Sequence, residues 1–420
     1  MNLSFQEEKR VSGGDDAAPA PWLSIIGIGE DGAPGLGEAA RRALAAATLV
    51  FGGKRHLDLA GDLIVGEKRE WPRPFADGIT ALLAARGRQV AALASGDPFL
   101  HGVGSTLARS LTPSEWLAFP APSAPALAAA RLGWPLGETA IISLHGQEIT
   151  RLRPALHPGR RLLVLTSDGD SPAAIARLLC ADGFGPTRLA LFGALGGPRE
   201  SRMDGRAFDF QSVSADPLNL LALEVRAEPG ARLPRLTPGL PDDWFQHDKQ
   251  ITKAPIRALT LAALAPRRGE LLWDIGAGSG SVSIEWCLRD PSLQAIALER
   301  RPDRATNIRA NAERFGVPGL RLVEAAAPAG LEGLAPPDAV FVGGGADAGI
   351  LAQCRAALVP GGRLVVNAVT LETEALLLAE YASQGGSLIR LDVAQAAPVG
   401  PLTGWRPAMP ITQWRWEKPW

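Results

Sequence analysis

Residues 271–280 read Leu-Leu-Trp-Asp-Ile-Gly-Ala-Gly-Ser-Gly and run directly into Ser-Val-Ser-Ile-Glu-Trp-Cys-Leu. An apolar run, an acid, a Gly-x-Gly-x-Gly turn and a helix-forming stretch predict a strand, a tight loop and a helix start. Gly276, Gly278 and Gly280 allow positive φ and let a ligand approach the main chain where a Cβ would otherwise stand. The segment therefore asks for a strand–loop–helix unit with a small molecule held against the loop.

Two kinds of ligand compete for such a loop. A dinucleotide fold uses G-x-G-x-x-G and seats a pyrophosphate on the helix N-terminus. Here the third glycine comes one residue early, Ser283 has no critical part to play, and Asp274 stands where it would repel a phosphate. S-adenosylmethionine has no phosphate, but it carries a cationic sulfonium and an α-amino group, so an acidic glycine-lined loop suits it better. A second acid, Glu299, closes the next apolar run, Leu-Gln-Ala-Ile-Ala-Leu-Glu, where a carboxylate can accept both hydroxyls of a ribose. A glycine turn alone would read as a solvated turn. The two acids in a strand–helix–strand setting favour a class I methyltransferase, with a cofactor set of Asp274, Gly276, Ala277, Gly278, Gly280, Ser281, Glu299 and Arg300.

At 420 residues the chain is long enough for two or three domains. A formal net charge of −1 offers no overall attraction to a nucleic acid, so none is expected as partner. Cys180, Cys287 and Cys354 lie far apart without metal-ligand spacing, so no metal site is expected. The N-terminus lacks an apolar signal core, and no stretch has membrane-spanning length, which predicts a cytoplasmic enzyme without membrane attachment.

Residues 1–20 are polar and rich in Gly, Asp, Ala and Pro, and read as a disordered tail. From 21 to 227, β-like runs at 23–28, 48–51, 90–94, 116–119, 140–144, 162–165, 189–192 and 220–225 alternate with Ala-Leu-Arg helical segments, predicting an α/β domain. Residues 228–241 carry prolines and glycines that oppose both helix and strand, and read as a linker. A second α/β series fills 242–420, with apolar runs at 271–275, 295–298, 320–323, 339–342, 364–366, 388–393 and 411–416. Seven strands fit a class I methyltransferase whose last strand is antiparallel.

Within this second domain, a helix at 303–315 carries Asn307 and Asn311 near the adenosine side, where either could line the site, although both read first as surface helix residues. Ala325 and Ala326 leave room for a flat adenine ring, and Gly343, in Val-Phe-Val-Gly-Gly-Gly, permits close approach where cofactor and substrate meet. Asn367 and Thr370 belong to the same rim. Ahead of the first strand, in residues 241–261, Lys249, Lys253 and Arg257 recur at four-residue spacing, which on a helix places them on one face. Such a row would grip a polycarboxylate, with Thr252 beside it at the cofactor.

Pro-Asp-Asp-Trp-Phe-Gln-His-Asp, Gln-Ile-Thr-Lys, Trp-Asp-Ile-Gly-Ala-Gly-Ser-Gly-Ser-Val-Ser-Ile-Glu and Val-Phe-Val-Gly-Gly-Gly together resemble the decarboxylating precorrin methyltransferases of cobalamin biosynthesis, across most of 241–395. At 325–328 the chain departs from that pattern, with alanines where a glycine is expected. The first domain resembles the tetrapyrrole methylases, a class III fold of two α/β lobes. The shared motifs are Ile-Ile-Gly-Ile-Gly, Gly-Asp-Pro-Phe-Leu-His-Gly, Pro-Ala-Pro-Ser-Ala-Pro-Ala-Leu-Ala, Ser-Leu-His-Gly, Leu-Gly-Gly-Pro-Arg-Glu and Asn-Leu-Leu-Ala-Leu-Glu-Val, in that order. This resemblance implies a second cofactor site at Gly96, Asp97, Pro98 and Gly102, with Ser123, Ala124 and His145. His101 and His145 are candidate bases, and each otherwise reads as a loop residue making ordinary hydrogen bonds.

Together the resemblances imply two methyl transfers to one reduced tetrapyrrole, precorrin-6B. The first domain would methylate ring carbon 5; the second would methylate ring carbon 15 and decarboxylate the acetate on ring carbon 12. They also imply a homo-oligomer, with a tetramer favoured. The rival is an RNA-modifying methyltransferase, against which the near-neutral charge and the lack of a basic tail count.

Overall fold

The structure, a computed structural model, describes residues 21–420, so the tail read at 1–20 lies outside the described residues. Contacts divide the chain into two compact units. One holds the residues up to His145 together with Gly159–Arg226; the other holds Gly146–Pro158 together with Ala227–Trp420.

The first unit contains two sheets. Strands β1 (Leu23–Ile28), β2 (Leu49–Gly52), β3 (Glu67–Glu70), β4 (Val90–Ser95) and β5 (Trp116–Phe119) form a parallel sheet in the order β3-β2-β4-β1-β5. Alternate residues feed two cores: Ile26, Ile28, Val50, Ala91 and Leu93 pack on one face, and Leu23, Ile25, Leu49, Phe51 and Ala92 on the other. Burial on both faces is why these strands read as unbroken apolar runs. Strands β6 (Thr139–Ser143), β7 (Arg161–Leu165), β8 (Arg188–Gly193), β9 (Ser201–Arg206) and β10 (Asn219–Glu224) form a mixed sheet in the order β6-β7-β10-β8-β9. The apolar pattern did not predict β3 and β9. They are edge strands reading Glu-Lys-Arg-Glu and Ser-Arg-Met-Asp-Gly-Arg, and charge on an edge blocks further pairing while erasing the hydrophobic signal.

The second unit contains β11 (Leu271–Ile275), β12 (Gln294–Leu298), β13 (Arg321–Val323), β14 (Ala339–Val342), β15 (Arg363–Ala368), β16 (Ser387–Leu391), β17 (Ala394–Val399), β18 (Leu402–Pro407) and β19 (Ile411–Glu417). Seven of them form one sheet in the order β13-β12-β11-β14-β15-β19-β16, in which β19 runs antiparallel to both neighbours. This is the expected class I arrangement. The remaining two, β17 and β18, make a separate hairpin that the sequence reading missed, since Pro398, Pro407, Gly400 and Gly404 argue against strands. Val399, Leu402 and Trp405 on this hairpin are exposed. Among the described residues, no helix is long and apolar enough to cross a membrane.

The segment ahead of β11 is held by a buried ion pair. Arg257, on the helix Ala254–Leu264, donates from Nε to Glu285 Oε1 at 2.6 Å and from Nη1 to Asp242 Oδ1 at 3.1 Å. Its remaining donors meet the carbonyls of Thr252 and Leu240, and the guanidinium lies over the Phe245 ring at 4.8 Å. Glu285, on the helix Ser281–Cys287, also accepts from the backbone N–H groups of Gly239 and Leu240. The carboxyl end of the 228–241 stretch is thus fixed to the helix that follows the glycine loop. Glu285→Ala leaves the buried Arg257 with only the partly exposed Asp242 to balance it, so the variant is expected to cost about 3 kcal/mol, the low end for breaking a buried pair. Urea unfolding at fixed pH measures this as a lowered midpoint.

Candidate functional site

In the second unit, register brings the predicted loop residues to one edge of the sheet. Ile275 pairs with Leu298 on one side and Val342 on the other, and Leu298 pairs with Val323. The residues that follow these strand ends, Gly276, Glu299, Gly343 and the Ala325–Ala326 stretch, therefore emerge together at the carboxyl edge, where open α/β sheets bind ligands. The loop is anchored from below: the N–H groups of Gly276 and Ala277 both reach Leu298 O at 3.0 Å, and Gly343 N reaches Ile275 O at 3.0 Å.

Glycine is required here for two reasons. Gly276, Gly278 and Gly280 have φ of 68°, 61° and 73°, in the left-handed region. A Cβ on Gly276 would also stand 2.7 Å from Gly344 O, so the two loops touch backbone to backbone.

The two acids sit differently. Glu299 is buried at 4 % exposure, with Oε2 accepting from Gly278 N at 2.9 Å and Oε1 from Arg301 N at 3.0 Å. One carboxylate thereby orders the loop and begins the next helix, while each oxygen keeps a lone pair. Asp274 is buried at 1 %; its Oδ2 accepts from the backbone N–H of Ser283 at 3.1 Å and from the Ser283 hydroxyl, and its Oδ1 has no partner. Burial pushes its pKa up to about 6, against the Ser283 hydrogen bonds that favour the ionised form, with the charge of Glu299 adding to the rise. Ser283, read as having no critical part, in fact orients this acid, and serine two residues into the helix was the visible signal.

Asn311 is likewise a correction. It is fully buried on the helix Pro302–Phe315, takes a hydrogen bond from Gln246 N, and donates to Gln246 O and Ser279 O, each at 2.7–2.9 Å. It staples the 244–250 segment to the glycine loop, and Gln250 O lies 3.9 Å from where a Cβ on Gly278 would stand. Nothing local in the sequence names those partners. Asn367 also turns inward, donating to Thr260 Oγ1 at 2.9 Å and accepting from Gln413 Nε2, while Thr370 caps the helix Leu371–Gln384.

The predicted cationic row does not exist. The helix begins at Ala254, Lys253 is its cap, and Lys249 lies outside it with φ of 75°. Pro255, which has no N–H to donate and fits only the first turn, fixes this start and could have warned of it. Arg257 belongs to the buried face with Thr260, Leu261 and Leu264, and each of its three nitrogens already has a partner, so its side chain presents no exposed cation. Lys253 Nζ lies 3.6 Å from Asp242 and is more than half exposed, and Lys249 is exposed. Thr252 lends its carbonyl to Arg257, Ser281 is buried, and Arg300 is exposed.

In the first unit, Gly96 has φ of 53°, and a Cβ there would stand 2.8 Å from Ser123 Cα, so the Gly-Asp-Pro turn and the Ser123 loop are packed against each other. Asp97 Oδ1 accepts from Phe99 N, and a Cβ on Gly102 would meet Pro98 O at 2.5 Å. Ser123 caps the helix that starts at Ala124, accepting from Ala126 N. These residues are brought together by the ends of β4 and β5. His145 follows β6 of the other sheet and is exposed, as is His101.

A family profile described as "Precorrin methyltransferase domain" matches residues 243–418, and one described as "Tetrapyrrole (Corrin/Porphyrin) Methylases" matches 23–210. A Sinorhizobium sp protein named precorrin-6Y C(5,15)-methyltransferase [decarboxylating] is 53% identical over 97% of this chain and 99% of its own length. A Mycobacterium tuberculosis protein of the same name is 43% identical over 93% of this chain and 98% of its own length. A Salmonella typhimurium protein named cobalt-precorrin-6B C(15)-methyltransferase (decarboxylating) is 34% identical over 40% of this chain and 91% of its own length.

The buried Asp274 gives a pH test of the site. Its folded-state pKa, about 6, exceeds the ordinary 3.8, so the folded chain holds a proton that the unfolded chain releases between those values. Its contribution therefore falls as pH rises from 4 to 6 and is flat above, by about 3 kcal/mol in all at 1.36 kcal/mol per unit. Asp274→Asn, which keeps an acceptor for Ser283, should gain stability relative to the parent across that window in urea melts at stepped pH. A difference that does not vary with pH would contradict this.

Proposed function

Because the chain belongs to the precorrin-6Y C(5,15)-methyltransferase (decarboxylating) family, we propose that it methylates precorrin-6B at ring carbons 5 and 15 and decarboxylates the acetate on ring carbon 12. The methyl donor is S-adenosylmethionine and the product precorrin-8X, in cobalamin biosynthesis. The observation that carries this reading is the pairing, in one chain, of two unrelated α/β units that each match a methylase family. The second unit alone resembles an enzyme named for carbon-15 methylation with decarboxylation, which supports assigning both of those steps to it and carbon 5 to the first unit. A cytoplasmic site of action is part of the same reading.

The residues at the second sheet edge fit the methyl donor. An unpartnered buried carboxylate oxygen at Asp274 suits a cationic group, Glu299 has lone pairs left for ribose hydroxyls, and Gly276 to Gly280 let the ligand lie on bare backbone. Ala277, Ser281, Arg300, Ala325, Ala326, Gly343 and Thr252 complete the proposed contacts; Gly96, Asp97, Pro98, Gly102, Ser123, Ala124 and His145 hold the donor in the first unit. When bound, the donor supplies an electrophilic methyl group. A meso carbon of a reduced tetrapyrrole is enamine-like and already nucleophilic, so the chain mainly aligns the reactants, which can supply on the order of 7–11 kcal/mol of the barrier. Lys249, which is exposed, and Lys253, whose more than half exposed ammonium stands beside Asp242, bind the peripheral carboxylates as charge-assisted contacts.

The reaction is tested by incubating the intact chain with precorrin-6B and labelled donor and weighing the product, which should gain two methyl groups and lose carbon dioxide. Glu299→Ala is expected to weaken donor binding at the second site at least about tenfold, the scale of a lost charge-assisted hydrogen bond, and to suppress one methyl gain together with carbon dioxide release. Unchanged product would contradict the assignment of Glu299.

Self-association, with a tetramer favoured, is also proposed. Val399, Leu402, Trp405 and Met409 expose large apolar surface on and beside a hairpin that stands apart from the main sheet, a feature that marks interaction sites. Trp405→Asp should lower the mass measured by light scattering; an unchanged mass would place the interface elsewhere.

A further inference from the structure

Three uncharged polar side chains meet in the second unit, at the sheet edge that carries the glycine loop. Asn367 lies one residue before the end of β15, and its Nδ2 donates to Thr260 Oγ1 at 2.9 Å. Its Oδ1 accepts from Gln413 Nε2 at 2.9 Å, and that nitrogen also lies 3.4 Å from Thr260 Oγ1, which closes a triangle. Thr260, on the helix Ala254–Leu264, and Gln413, on β19, are buried, whereas Asn367 is half-buried. The amide plane is thereby fixed while part of the residue stays accessible. Thr260 uses one of the two Nδ2 hydrogens; among the described residues the other has no partner, and no Lys or Arg hydrogen-bonds to the triangle.

Register puts this amide beside the proposed methyl-transfer position. Val342 of β14 pairs with Val366 of β15, so Asn367 is level with Gly343, one strand spacing or about 4.8 Å away. Leu272, Phe341 and Val365 share one buried face of the sheet. Asp274 and Asn367, each two residues further along its strand, point to the same face.

Resting on the methyltransferase reading above, we propose that Asn367 orients the acetate that is lost, by donating its second Nδ2 hydrogen to that carboxylate. Carbon 12, which bears the acetate, belongs to the ring that adjoins carbon 15, so with carbon 15 at Gly343 the acetate falls one strand along, at Asn367. The carbon–carboxyl bond breaks when it stands perpendicular to the conjugated plane, where its electron pair can enter the π system. Carbon dioxide leaves, the macrocycle takes the electron pair, and the exocyclic carbon then gains one proton from water to become a methyl group. A cation at the carboxylate would stabilise the starting state and lose that interaction as the charge moves into the ring, which raises the barrier. A neutral amide holds the angle at a smaller cost. Thr260 and Gln413 are positioning residues that fix the amide.

The test uses the intact chain with precorrin-6B carrying carbon-13 in the acetate carboxyl, and follows release of carbon dioxide. In Asn367→Leu, kcat for release should fall at least tenfold, the scale of a lost hydrogen bond to a charged group, with a much smaller change in KM. The carbon-13 isotope effect should be full-sized, because breaking the carbon–carboxyl bond becomes limiting. Thr260→Val leaves Asn367 in place but loosens its amide; it should shift both readouts the same way by a smaller amount, and it carries the test if Asn367→Leu does not fold. Calorimetric affinity for S-adenosylhomocysteine should stay parental in both variants. A parental release rate in either folded variant, slowing with an isotope effect near unity, or slowing with weakened S-adenosylhomocysteine binding would overturn the proposal and leave the triangle a structural one. If the parent chain itself releases no carbon dioxide from precorrin-6B, it is the function reading that falls, and the role of Asn367 with it.

Discussion

The ion pair between Arg257 and Glu285 is the constraint on which the second unit's site depends. It joins three pieces of chain distant in sequence: the end of the proline-rich stretch at Gly239–Leu240, the helix ahead of β11, and the helix after the glycine loop. Both side chains are fully buried, and every nitrogen and oxygen they bring has at least one partner, which is the condition under which burying two charges is tolerable. Asn311 repeats the arrangement on the other side of the loop, through Gln246 and Ser279. The glycines supply conformational freedom and these two staples remove it. What remains is a backbone cradle of fixed shape, with Glu299 at one end and Asp274 beneath.

Much of this was legible because its signals are local. The glycine spacing, the two acids and the seven apolar runs lie in chain order, and β11 to β16 and β19 formed close to where those runs predicted. The burial of alternate residues on β1, β2 and β4 likewise follows from their unbroken apolar character. Edge strands β3 and β9 and the β17–β18 hairpin escaped because a strand that buries no face carries no apolar alternation to detect.

The misread residues share a different cause. Arg257 looked like a surface cation because residue type predicts burial only on average; the spacing to Thr260, Leu261 and Leu264 and the start fixed by Pro255 would have placed it inside. Ser283 and Asn311 act through partners that only the tertiary structure brings near. His56, on the helix Lys54–Ala60 after β2, and Ser95, at the end of β4, meet for the same reason. Polar residues with buried non-local partners are where sequence reasoning stops and coordinates are needed.

The central claim is that each of two unrelated folds on this chain holds its own methyl donor. Titration calorimetry of the intact chain with S-adenosylhomocysteine reads this directly. The account predicts binding of two molecules per chain; saturation at one molecule per chain would contradict it.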